Sequence, residues 1–200
     1  MKRAVSMGLA GLTILAIALP ARAATSTVDM TKFFTFDPTP ASVSIGDTVK
    51  WKNVTGITHT ATSNTGFFDL SVDAGQSKTH VFDFGGSFPY YCRFHGAPGQ
   101  GMHGTVKVPD RWLNTGTQHV GDVQRIRVAS VVPPAGLAFD VQMKGPGDAA
   151  FHAYKSKIKT AIVKYTPTEA GEFQFRSRLH RLSNDATSGW SPAAFVEIST

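Results

Sequence analysis

The sequence predicts an all-β protein built as two successive β-sandwiches, and three observations predict it. Apolar and polar residues alternate with a period of two from Val28 to Val108, and a second series of alternating runs extends from Val123 to Ile198. Gly, Pro, Asn and Asp punctuate these runs at short intervals. Between Val28 and Val108 no amphipathic helix of useful length interrupts the pattern.

The elements follow in chain order. Residues 1–23 read as a secretory signal peptide: Lys2-Arg3 starts it, Ala4 to Leu19 is an apolar run, and Ala21-Arg22-Ala23 fits an A-x-A cleavage pattern. The run is too short and wrongly flanked for a comfortable membrane span. Cleavage before Ala24 is therefore expected, with a periplasmic or secreted mature chain and no stable membrane span. The rival expectation is an uncleaved anchor. Residues 24–110 form the first sandwich. Met30 to Phe36 reads as its first strand, broken by Asp37-Pro38-Thr39-Pro40. Ala41 to Ile45 alternates, Gly46-Asp47 turns, and Thr48 to Lys52 alternates again with Val49 and Trp51 inward. Gly66 to Leu70 reads as a loop. Ser77 to Phe84 is a strand that puts His80 on its polar phase with Lys78. Gly85-Gly86 then turns into Ser87 to Cys92, and Gly104 to Val108 returns.

Residues 111–121 read as a linker, with Trp112 packing between the two units. Residues 122–200 form the second sandwich, with strands at Val123–Val128, Ala138–Lys144, Phe151–Tyr154, Lys159–Tyr165, Glu172–Leu179 and Ala194–Ile198.

Charge narrows the function classes. The 200 residues carry a formal net charge of +6. Without residues 1–23, 17 basic and 14 acidic residues remain, a net +3. The excess lies in residues 111–200, which hold 11 basic and 7 acidic side chains. No dense Lys/Arg run points to nucleic acid. Solvated sheet faces account for this charge, and the sharper alternative is a basic surface that steers an acidic redox partner.

The chemistry gathers on one stretch, Tyr90 to Met102. It holds Cys92, the single cysteine of the chain, followed by His95 and then Met102. One cysteine excludes an internal disulfide framework, and metal ligation explains an unpaired thiol in an exported protein. Thiolate, imidazole and thioether form a soft donor set that suits copper, and two His, one Cys and a weak axial Met describe a blue-copper electron-transfer centre. His59, in Thr58-His59-Thr60-Ala61, is the candidate second histidine. A C-x-x-H pair is weak evidence alone, because a free Cys often only fills a core. Three features strengthen it: a strand delivers the Cys, the Cys-to-Met loop is rich in Gly and Pro, and a strand returns directly after it. His80, His103, His119, His152 and His180 form no second set, and no H-x-H motif of a multicopper enzyme occurs.

At these residues the first half resembles a cupredoxin of the plastocyanin/azurin family, in its bacterial plastocyanin-like or pseudoazurin-like branch. The matching pieces are Phe36-Asp37-Pro38, Val43 to Asn53, His59-Thr60-Ala61, Phe67-Phe68-Asp69, and Tyr91-Cys92 through Met102 to Val106. The resemblance implies a Greek-key sandwich with one type 1 copper ion held by His59, Cys92, His95 and Met102. Two departures stand out. Nine residues separate Cys92 from Met102, a longer interval than in plastocyanin, and Thr60 occupies a position where many members carry an Asn that ties the ligand loops together. The Thr60 hydroxyl is expected to make that tie, while Phe94 and Pro98 are expected to keep water off the metal.

The second half resembles a fibronectin type III domain at Phe139 to Gln142, Pro167 to Arg178 and Ser188 to Pro192. It departs at Phe173, where that family usually has a tyrosine. Trp190 with Arg176 and Arg178 is expected to build a bracing cation–π ladder.

Three functions are compatible with these residues. The first is an exported carrier of single electrons that serves redox partner proteins. The second is a copper-binding protein for storage, delivery or tolerance. The third is an adhesion module with a decayed site. The intact donor set disfavours the third, the absence of Met- or His-rich tracts disfavours the second, and an enzyme is not expected.

Overall fold

A computed structural model describes residues 23–200, so the expected signal peptide lies outside the described residues except for Ala23. The described chain is all-β. Its strands are β1 (Thr25–Met30), β2 (Phe36–Asp37), β3 (Ala41–Ser42), β4 (Asp47–Asn53), β5 (His59–Ser63), β6 (Asp69–Val72), β7 (Ser77–Phe82), β8 (Gly86–Ala97) and β9 (Gln100–Val108). There follow β10 (Arg111–Trp112), β11 (Gln118–His119), β12 (Gln124–Arg127), β13 (Leu137–Lys144), β14 (His152–Ile158), β15 (Ile162–Tyr165), β16 (Gly171–Arg181) and β17 (Ala194–Ser199). No helix among the described residues is long and apolar enough to cross a membrane.

Strands β1–β9 pair only with one another, as sheets β2-β1-β4-β7 and β3-β9-β8-β5-β6. Strands β10–β17 do the same, as sheets β10-β12-β15 and β11-β17-β16-β13-β14. Most pairings are antiparallel, but β1 with β4, β3 with β9 and β11 with β17 are parallel. The alternation of β4 does what its period requires: Val49 and Trp51 are fully buried. Trp51 meets Tyr90 of the opposite sheet edge-on, with ring centroids 5.5 Å apart. In the C-terminal half Trp112 does the same against Phe175 at 5.6 Å.

Four expectations are corrected here. The first strand is Thr25–Met30, upstream of the expected 30–36, and residues 31–35 make a tight turn closed by the Thr31 amide on the Thr35 carbonyl at 2.9 Å. The aromatic run Phe33-Phe34-Phe36 imitates strand alternation, yet Phe33 is 75% exposed. The expected loop at 66–70 runs into a real strand, β6, on the sheet edge beside β5. The expected linker carries β10 and β11, both hydrogen-bonded into sheets of the C-terminal half. Trp112 consequently packs within that half rather than between halves. Finally, His80 is half-buried, its ring against Phe68 and Phe82 at 5.2 and 4.9 Å, and burial lowers its pKa.

Backbone hydrogen bonds join the two halves. Gly85 donates to the Val128 carbonyl at 2.8 Å, Ser130 donates to Asp83 at 2.9 Å, and Ser87 and Gly189 exchange a pair at 2.9 and 2.8 Å. Phe84 packs on Phe139 at 5.7 Å, so the apolar core runs on through the junction. This junction lies at the Gly86 end of β8, and Cys92 lies six residues further along the same strand. At about 3.3 Å per residue, roughly 20 Å separate the two ends.

Candidate metal centre

Three strands bring the four candidate residues to one end of the N-terminal half. His59 opens β5, Cys92 and His95 lie on β8, and Met102 lies on β9. Strand β8 is hydrogen-bonded to both of the others, so its position in mid-sheet fixes Cys92 between its partners. The register of β8 on β9 breaks between Tyr91 and Gly96. That irregularity bends the backbone where the ligands must converge. Gly101, with a left-handed φ of +61°, lies opposite Gly96, and a Cβ on Gly96 would stand 2.8 Å from the Met102 amide nitrogen. Glycine at both positions lets the extended hairpin close.

The donor atoms converge. The His59 Nδ1, Cys92 Sγ and His95 ligand atoms all lie within 4.8 Å of one another. His59 Nδ1 is 3.6 Å from Cys92 Sγ, and His95 Nδ1 is 3.4 Å from it. His59 and Cys92 are fully buried, and His95 is half-buried. Met102 is buried on β9, one residue beyond the Gly101 that faces Gly96.

The donor set fits a metal ion. A thiol has a single weak hydrogen to donate, yet two imidazole nitrogens and the Thr60 amide, 3.3 Å away, all face this sulfur. A thiolate bound to a cation satisfies all three. Bond lengths of about 2.0–2.3 Å at trigonal angles separate ligand atoms by about 3.5–3.8 Å, close to the two N···S distances seen. Burial first, and the neighbouring His95 second, hold the His59 pKa below its ordinary value, which favours the neutral imidazole a metal requires. His59 Nε2 is buried without a hydrogen-bond partner among the described residues. Packing therefore orients this ring.

Much of that packing comes from Phe34, a residue the alternation pattern does not single out. Its ring lies 4.5 Å from the His95 ring at 35°, and 6.1 Å from His59. Phe34 has a left-handed φ of +57°, rare for a bulky side chain. The Thr31–Thr35 turn holds it there, with Phe34 N donating to the Thr31 carbonyl at 3.1 Å and the two threonine hydroxyls 2.7 Å apart. Phe94 and Pro98, expected to shield the site, are exposed instead. Phe94 would share the face of Cys92, two residues earlier, in a regular strand, but the register break between Tyr91 and Gly96 interrupts the alternation and leaves it exposed. Thr60 behaves as expected: its hydroxyl accepts the Arg93 amide at 2.9 Å and ties the two ligand segments together. His103 is exposed, with Nδ1 on the Gly101 carbonyl at 2.9 Å, and stays out of the site.

No family model matches the sequence, and no curated protein matches it. Solved structures do show similarity. A reduced amicyanin mutant is 28% identical, over 41% of this chain and 79% of that one, with a TM-score of 0.35. A purple cupredoxin from Nitrosopumilus maritimus is 25% identical, over 42% of this chain and 98% of that one, with a TM-score of 0.36. A copper-containing nitrite reductase from Thermus scotoductus SA-01 is 13% identical, over 89% of this chain and 62% of that one, with a TM-score of 0.32. These three neighbours are two cupredoxins and a copper enzyme.

In the C-terminal half the expected ladder is present. The Arg176 guanidinium lies 5.2 Å from the Trp190 ring and 4.1 Å from Phe151, and Arg178 lies 4.6 Å from Trp190. Arg178 is also paired with Asp140 at 3.0 Å. These contacts brace one sheet face.

Proposed function

We propose that this chain is an exported blue-copper protein that carries single electrons through one type 1 copper ion. His59, Cys92 and His95 hold the ion and Met102 is its weak axial ligand. The observation that carries this reading is the convergence of two imidazole Nδ1 atoms on one buried sulfur, with the Thr60 amide behind it. Bound copper would supply a one-electron couple. The chain supplies the rest: a sulfur and two imidazoles fixed by hydrogen-bonded strands, so that little reorganises on electron transfer. Buried His59 and the Phe34 ring exclude water. Half-buried His95 is the edge nearest solvent, and the exposed Phe33, Phe94 and Ile57 lie on the segments around it. Redox partner proteins would meet that edge. The C-terminal half, which resembles a fibronectin type III domain, acts as a spacer and stabiliser, and the mature chain resides in the periplasm or outside the cell.

The test is an optical and EPR spectrum of residues 24–200, titrated with Cu(II) and then ascorbate. A strong visible band with small copper hyperfine splitting, bleached reversibly on reduction, is expected. Tight binding without that signature would instead assign the site to copper storage or delivery, and no binding would overturn both.

A further inference from the structure

The three-stranded sheet β10-β12-β15 carries an arrangement that the copper site does not explain. Arg125 and Arg127 share its outward face, opposite the buried Ile126. Arg111 is the direct cross-strand partner of Arg127, and Lys164 is that of Arg125. Like charges placed directly opposite are destabilising, and none of these four side chains forms an ion pair among the described residues. Beside Arg111 and Arg127, a cavity of ≈ 220 Å³ opens at the junction of the halves, walled by Ser44, Ile45, Pro109 and Asp110. The Nε of Arg127 is itself buried without a hydrogen-bond partner among the described residues. An unsatisfied charged donor is costly to keep, and two neighbouring guanidiniums suit the fork geometry of an oxyanion.

We propose that Arg111 and Arg127, with Ser44 facing them, form a binding site for a small free oxyanion of phosphate or sulfate size. The cavity is smaller than those that hold drug-sized ligands, and its two cations demand an anion. Asp110 also lines it, but one of its oxygens accepts the Ser177 hydroxyl at 2.7 Å. Burial also pushes the Asp110 carboxyl up to about 7, so near neutral pH it carries about half a negative charge against the two guanidiniums. The site lies at the far end of β8 from Cys92, so it serves anchoring or regulation rather than electron entry.

The test is a titration of the full chain with inorganic phosphate, then sulfate, at ionic strength held constant with sodium chloride. It is followed by NMR of the arginine Nε–H signals. Saturable shifts at Arg127 and Arg111 are expected. Arg111→Gln, at an exposed position that folding tolerates, should weaken binding by about tenfold or more. Arg125→Gln, on the same face but outside the cavity, should leave it within about twofold. Shifts that do not saturate would overturn the site, as would equal losses in the two variants, which would mark a diffuse counter-ion effect. Cys92→Ser should bind phosphate unchanged, so failure of the copper reading leaves this one standing.

Discussion

The Thr60 amide donates to the Cys92 sulfur at 3.3 Å, while the Thr60 hydroxyl accepts the amide of Arg93, the residue after that cysteine, at 2.9 Å. One residue on β5 thus fixes both the sulfur and the backbone that carries it. Removing the hydroxyl strands a partly buried N–H. Thr60→Ala is expected to cost about 1 kcal/mol, and Thr60→Ser to restore most of it. Urea unfolding of the copper-free variants measures this. Equal stability for all three would show that the strands position Cys92 without the clamp.

Cys92→Ser should abolish the intense charge-transfer colour of the copper-loaded protein, because that band needs a thiolate. The sandwich should survive, since a hydroxyl is smaller than the sulfur it replaces and the Thr60 amide can still donate to it. The checks are visible absorption and far-UV circular dichroism. Persistent colour in the variant would sink the ligand assignment.

The centre is more legible in the sequence than the fold around it. Cys92, His95 and Met102 are near neighbours in the chain, so soft-donor chemistry and loop composition suffice to nominate them. His59 requires only a histidine at a strand end. Phe34 is invisible because its contact with His95 spans 61 residues and depends on a left-handed φ that alternation cannot encode. The same turn explains the misplaced first strand: aromatic residues at 33, 34 and 36 imitate strand alternation, while Phe34 packs on His95 and His59 instead. Strands β10 and β11 have two residues each, too few to show any period. Val49 and Trp51, in a seven-residue strand, are legible for the opposite reason.

Phe34 sets strain against packing. A left-handed φ costs a residue with a Cβ about 1–2 kcal/mol, and its ring pair with His95 returns about 0.5–1.5 kcal/mol. Phe34→Gly should therefore be close to neutral for stability, while Phe34→Ala, which keeps the strain and loses the ring, should destabilise. Both should admit water to His95. Water favours the more highly charged Cu(II), so the reduction potential should fall in both. Chemical denaturation and protein-film voltammetry separate the two effects, and an unchanged potential would remove Phe34 from the site.

Gly85 is expected to be intolerant of any side chain. A Cβ there would overlap the Asp110 Oδ1 and stand 2.9 Å from the Ser177 hydroxyl and 3.3 Å from the Val128 carbonyl. Gly85→Ala should cost about 1–3 kcal/mol through overpacking and loosen the junction. Gly56, where an added methyl would meet nothing within 4 Å, is the control, and Gly56→Ala should stay within about 0.5 kcal/mol. A comparison of their thermal midpoints decides it.

Asp110 makes the junction sensitive to pH. Burial raises its carboxyl pKa to about 7, against which the hydrogen bonds from Ser177 and Ser191 work only partly. In an unfolded chain it would titrate near 3.9. The folded state therefore prefers the protonated acid, and stability from this group is complete below about pH 4. It is lost progressively up to about pH 7 and stays lost above. A difference of about three units amounts to roughly 4 kcal/mol. Asp110→Asn keeps an acceptor for Ser177 and cannot ionise. His59 and His80, whose pKa values burial lowers, titrate with the opposite sign, so the informative quantity is the difference between wild type and variant. That difference should favour the wild type, or vanish, at pH 4 and swing toward the asparagine variant by pH 8. Urea midpoints at matched copper content measure it. A difference that does not change with pH would mean that Asp110 is ionised in the fold, and that Arg127 or water already compensates its charge.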